Sequence, residues 1–222
     1  MDPTTQSAPS HMGLPVTARY LMAACTVLAP ATVVAAIFLH PVELGVEGVD
    51  AIAQFDAQRD SYLLIAWLFA VSTFFWVVAI LTLGRVARYY SRTLGLVGMV
   101  IAFGLAIPVS LNYEDLSYIA LENNLEPETI VALFASADQL PSGILGVVWL
   151  AGLVGLILLG IAILRGKGAP KWAGVALIIA PLGIPASWFA ASALVFYTAW
   201  VVLTAGFAGY AIDLVRHGND VP

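Results

Sequence analysis

A pump, redox carrier or membrane enzyme holds ionisable or metal-binding side chains at bilayer depth. In this chain the residues able to do such chemistry fall at the ends of the apolar runs or outside them. The three histidines lie in an N-terminal segment (His11), before a proline at the end of an apolar run (His40) and near the C-terminus (His217), so none is placed to hold a haem between helices. Both lysines, Lys167 and Lys171, share one short polar connection, which leaves none for a retinal Schiff base. Ser142, in "LPSG", lacks an evident His to activate it as a nucleophile. Glu43, Glu47 and Asp50 in "PVELGVEGVD" do not follow the ligand register of a calcium loop, so neither a metal nor another cofactor is expected. Asp213 stands beside Arg216 and His217, a spacing that predicts an interfacial ion pair. Cys25 is the only cysteine, which excludes an internal disulfide.

Aromatic and small residues remain. Trp67, Phe69, Phe74, Phe75 and Trp76 lie along one apolar run, and Trp188, Phe189, Phe196, Tyr197 and Trp200 along another. Such stripes either face lipid or line a pocket for an apolar ligand. Of these, Trp67, Phe74, Trp76, Phe196, Tyr197 and Trp200 are assigned to ligand binding. The small-xxx-small steps Ala151/Gly155 and Ala205/Gly209, with Gly146, Gly152 and Gly160, predict close helix approach.

The elements that position these residues follow from composition. Hydrophobic residues make up 61% of the 222 and charged residues 10%, with a mean hydropathy of +0.93. That balance cannot build the polar surface of a water-soluble domain. A helical span needs about 20 apolar residues, and uncharged runs cover 20–39, 62–83, 93–111, 144–164 and 172–212. The last is long enough for two spans, and Pro181, Pro185 and Ser187-Trp188 predict a break into 172–185 and 188–212. The first run lacks the basic start and following cleavage site of a signal peptide, and "LMAAC" precedes most of the run where a lipoprotein box would follow it. The expected fold is all-α: a polytopic membrane protein of six transmembrane helices, 18–215, between a disordered cytoplasmic tail, 1–17, and a short C-terminal tail, 216–222.

Charge sets the orientation. Eight of nine basic residues fall on one side of this topology and only Arg59 on the other, which predicts cytoplasmic termini by the positive-inside rule. The outer loops, 41–61 and 112–143, carry eleven acids against that one Arg. Within them, "GVDAIAQFDAQRDSY" and "EPETIVALFASADQL" each show one apolar face, formed by Val49, Ile52, Ala53 and Phe55 and by Ile130, Val131, Leu133, Phe134 and Ala137. They predict two short amphipathic helices capping the outer face, with Pro127 in a first turn and Glu126 and Glu128 at its positive end. Glu114 and Asp115, where the third span ends, form a candidate outer acidic mouth. The stretches 93–110 and 171–187 echo each other, each following a basic turn and ending Ile-Pro-small-Ser, which suggests a duplicated unit.

Six spans with both ends inside, a first outer loop running into "QRDSYLLIAWLF", a helix before the fourth span and the turn "RGKGAPKWAGVALIIAPLG" give a layout. It resembles a broad family of uncharacterised six-helix bacterial membrane proteins over about residues 18–215. The resemblance implies an architecture and a prokaryotic inner membrane, with no activity and no functional residue. The residues themselves favour a non-enzymatic protein that binds a lipid, another apolar ligand or a partner membrane protein beneath the acidic cap. The rival readings are a small-solute or cation transporter with an acidic vestibule, and a membrane-embedded enzyme acting on lipid. Membrane lipids are the expected surroundings, and no nucleic-acid partner is expected.

Overall fold

The structure, a computed structural model, describes residues 14–40, 42, 45–107, 109–137, 142–166 and 170–217, and among these all regular structure is helical. Five helices are long and apolar enough to cross a membrane: α1 (Val16–Leu39), α3 (Arg59–Tyr90), α7 (Ser142–Leu164), α8 (Lys171–Phe189) and α9 (Ala193–His217). Shorter pieces complete the chain: α2 (Gly48–Ala57), α4 (Arg92–Ala102) with a 3-10 turn (Phe103–Ala106), α5 (Val109–Glu122) and α6 (Pro127–Ala137). Six of them close a ring in chain order, α1, α3, α4, α7, α8 and α9, the last packing back on α1. Tyr20 in α1 and Arg216 in α9 border one groove, so the two described chain ends share a face. This face is called the termini end, and the opposite one, which bears α2 and α6, the cap end. Helix α1 begins at Val16, inside the predicted tail of 1–17; residues 1–13 and 218–222 lie outside the described set.

Two boundaries differ from the sequence expectation. The third predicted span, 93–111, is α4 plus its 3-10 turn, shorter than the about 20 residues of a full crossing. The chain breaks at Ile107 and restarts as α5, so much of the predicted outer loop 112–143 is helix. The prolines of the last long run do not end a helix. Pro181 and Pro185 both lie inside α8, as prolines can where neighbouring helices shield the backbone. The break falls at residues 190–192, where Ala191 takes φ +45°. Ser192 N–H donates to Ser187 O at 3.0 Å and Ala191 N–H to Trp188 O at 3.2 Å, a Schellman closure. Ile107 follows a helix end, whereas Ile184 and Pro185 lie within a helix; Pro108 lies outside the described residues.

The segment "ENNLEPETIVALF" is a stop followed by a start. Asn124, at φ +53°, closes α5 with Leu125 N–H on Ala120 O and Asn124 N–H on Leu121 O, both at 3.0 Å. Helix α6 then opens on Pro127, whose missing N–H costs nothing at a first helical position. Around it the cap forms its own apolar cluster: Ile52 and Phe55 of α2, Tyr62 and Ala66 of α3, Ala120 and Leu121 of α5, and Ile130 of α6. Arg59 fastens the rim, pairing with Asp56 and with Glu122 at 3.1 Å. The predicted faces are narrower than expected: Val49, Ala53 and Leu133 are exposed, while Val131 and Phe134 are partly buried. Ile130→Ala should therefore destabilise the detergent-solubilised chain by about 2–5 kcal/mol, and Leu133→Ala by less than about 0.5 kcal/mol. Thermal unfolding of the two variants side by side checks this.

Of the close approaches expected, Gly152, Gly155, Gly160 and Gly209 pack tightly against neighbouring helices, whereas Gly146 meets nothing within 4 Å. Gly152 and Gly155 of α7 meet the backbone of Leu105 and Ala102, and Gly206 and Gly209 of α9 meet α8. Ala151 and Ala205 are exposed.

Candidate functional site

The cap-end half of the ring is not filled by side chains. Helix α3 contributes Phe69, Ser72, Thr73 and Trp76, spaced i, i+3, i+4, i+7 and so on one face. Helix α7 adds Gly146, Trp149 and Leu150; α1 adds Val33 and Ile37; α9 adds Phe196 and Trp200. Trp188 near the end of α8 and Leu105 and Ile107 around the break after α4 complete the wall. Together they line a half-open cavity of about 400 Å³, within the about 300–1,000 Å³ of small-molecule sites. A neighbouring cavity of about 310 Å³ shares Ile37, Phe69 and Phe196 with it and reaches His40, Val42, Gly45 and Val46 between α1 and α2. No described residue of α2, α5 or α6 lines either space.

The wall is aromatic and held in place. Four of the six tryptophans line it. Trp76 packs edge-on to the buried Phe207, with ring centroids 5.4 Å apart, and Trp149 stacks on Trp188 at 6.4 Å. Polar groups contribute little. The Thr73 hydroxyl donates to Phe69 O of its own helix at 3.3 Å, and the buried indole N–H of Trp200 finds no acceptor. Gly146 is the gap in the wall: a Cβ added there would meet nothing within 4 Å. The described lining residues offer dispersion contacts to hydrocarbon and, among them, no charge.

Of the six residues assigned from sequence, Trp76, Phe196 and Trp200 come together in this cavity. Tyr197 lines the neighbouring one and stacks on Phe38, centroids 4.8 Å apart. Trp67 and Phe74 sit elsewhere on α3, 64% and 79% exposed on the outside of the ring. Ser72, Val33, Ile37 and Gly146 carried no aromatic signal, but the helical spacing from Phe69 to Trp76 marks the inward face of α3. Asp115 is an exposed residue of α5 and lines neither described cavity; Glu114 belongs to the same helix with its side chain outside the described set. Asp213, expected at the solvated interface, is only 6% exposed. Comparison with protein-family models, with curated proteins and with solved structures returns no match, so the site stands on its geometry alone.

Proposed function

We propose that the chain is a non-enzymatic membrane protein that holds a hydrocarbon chain, of a lipid or another apolar molecule, in the tryptophan-lined cavity. The observation that carries this reading is a half-open cavity of about 400 Å³, walled almost wholly by apolar and aromatic side chains from five helices and the break after α4. A chain of methylenes lying in such a cavity gains dispersion contacts with its wall. Protein purified in a mild detergent should retain about one apolar molecule per chain, seen by native mass spectrometry and identified after solvent extraction. Recovery of the chain with detergent alone, and no gain in mass on adding fatty acid or phospholipid, would contradict the reading.

In this proposal α4 completes a sixth crossing, shortened because the chain turns at Ile107, and the protein sits in the inner or plasma membrane with both termini cytoplasmic. The eight-to-one division of basic residues supports that orientation. In a Cys25→Ser background, Ser91→Cys at the α3–α4 corner should react with a membrane-impermeant maleimide only after cells are opened. Labelling in intact cells would reverse the topology.

A further inference from the structure

The stretch "GRVARYYSR" places Arg85, Arg88 and Arg92 within nine residues without an acid among them. The expected turn is a single residue: α3 runs to Tyr90, Ser91 is extended at φ −151°, and α4 starts at Arg92. Two arginines therefore come from the last turns of one helix and the third from the first position of the next. All three, with Tyr89, line a cavity of about 400 Å³ at the termini end.

Like charges gathered round one space repel unless an anion neutralises them. Among the described residues no ion pair joins a carboxylate to Arg85, Arg88 or Arg92. The Arg85 Nε–H is buried and has no acceptor. Ser91 makes no capping bond with its side chain, and the first helical bond of α4 runs from Gly95 N–H to Ser91 O at 2.8 Å. The N–H groups of Arg92, Thr93 and Leu94 are thus left without an acceptor inside the helix, at its positive end. Guanidinium forks and free helix N–H groups together match the oxygens of a phosphate.

We infer that Arg85, Arg88, Arg92 and the start of α4 form a phosphate-binding site at the termini end, separate from the aromatic cavity. The phosphate is carried either by an anionic lipid headgroup or by a small soluble compound. The inference is independent of what fills the aromatic cavity.

The test uses the full purified chain and two probes, phosphatidylglycerol in phosphatidylcholine nanodiscs and inorganic phosphate in uncharged detergent. Arg88 and Arg92 are exposed, so Arg88→Gln/Arg92→Gln should fold, with its melting temperature as the check. Each arginine lost should weaken binding about fivefold, about 25-fold for the pair. Arg92→Lys, which keeps the charge but not the fork, should fall between, and serves as the reporter if the double variant does not fold. Arg165→Gln/Lys171→Gln removes the same charge from the other connection at this end and should leave binding unchanged. Phosphatidylglycerol binding that inorganic phosphate cannot displace would identify a lipid headgroup, whereas displacement would identify a soluble phosphate, and both support the site. Equal binding by wild type and the arginine variants, or an equal loss in the Arg165/Lys171 variant, would overturn it.

Discussion

Replacing Gly155 by valine should lower the melting temperature of the detergent-solubilised chain by about 6–12 °C. A Cβ at this position would fall on the backbone nitrogen of Ala102, 2.6 Å from its Cα and 2.8 Å from Gly98 O. Every one of those atoms belongs to the α4 backbone and cannot rotate aside as a side chain would. Overpacking against side chains costs about 1–3 kcal/mol; against backbone the upper end, about 3 kcal/mol, applies. For a chain of this length each kcal/mol moves the midpoint by about 2–4 °C. Gly146→Ala is the matched control on the same helix. Its new methyl group meets nothing within 4 Å, and removing a helical glycine contributes about 0.5–1 kcal/mol of stability. Equal melting temperatures for the two variants would mean that α4 does not press on α7 through Gly155.

The second large effect is on binding. Gly146→Phe should weaken retention of an apolar ligand at least about tenfold, equivalent to about 1.4 kcal/mol, while the melting temperature of ligand-free protein stays within about 2–4 °C of wild type. Gly146 lines the cavity and a Cβ there would meet nothing within 4 Å, so a phenyl ring at this position is expected to take volume that a hydrocarbon chain needs. Phe74→Ala, on the same α3 as Trp76 but on the outside of the ring, removes as large an aromatic and should leave retention unchanged. Native mass spectrometry of the variants after loading with one fatty acid separates the cases. Full retention by Gly146→Phe would remove the ligand from this cavity.

Five of the six predicted spans are legible in the sequence from length and hydropathy, and the cap helices from their periodic apolar faces. The inward faces are not legible from hydropathy, since helices in lipid are apolar all round. Small and polar residues mark the interior instead: Thr26, Ser72, Thr82 and Ser187 are buried while Trp67, Phe74 and Phe189 point out. Selecting aromatics by size therefore joined Trp67 to Trp76, whereas the period from Phe69 through Ser72 and Thr73 separates them. Proline misplaced the α8–α9 break. Its true position, in "AAS" at 190–192, contains neither Gly nor Pro, and an alanine takes the left-handed conformation that usually advertises itself as glycine. Helix α5 was hidden for a different reason. Asn112, Glu114 and Asp115 look like a solvated end, yet the chain restarts after Ile107 and stays helical until Asn123 and Asn124 stop it.

The distribution of tryptophans offers the most direct test of ligand binding in the ring. Trp67 and Trp172 are exposed on its outside, and the other four line the cavity. In a Trp67→Phe/Trp172→Phe background, indole emission therefore reports chiefly on the cavity wall. Titration with a dibrominated fatty acid, whose bromines quench only at contact, should give saturable quenching of most of that emission near one molecule per chain. Adding Gly146→Phe should abolish the saturable part and leave a shallow, linear response from probe dissolved in the micelle. Quenching that is linear from the start and identical with and without Gly146→Phe would contradict a hydrocarbon-binding cavity.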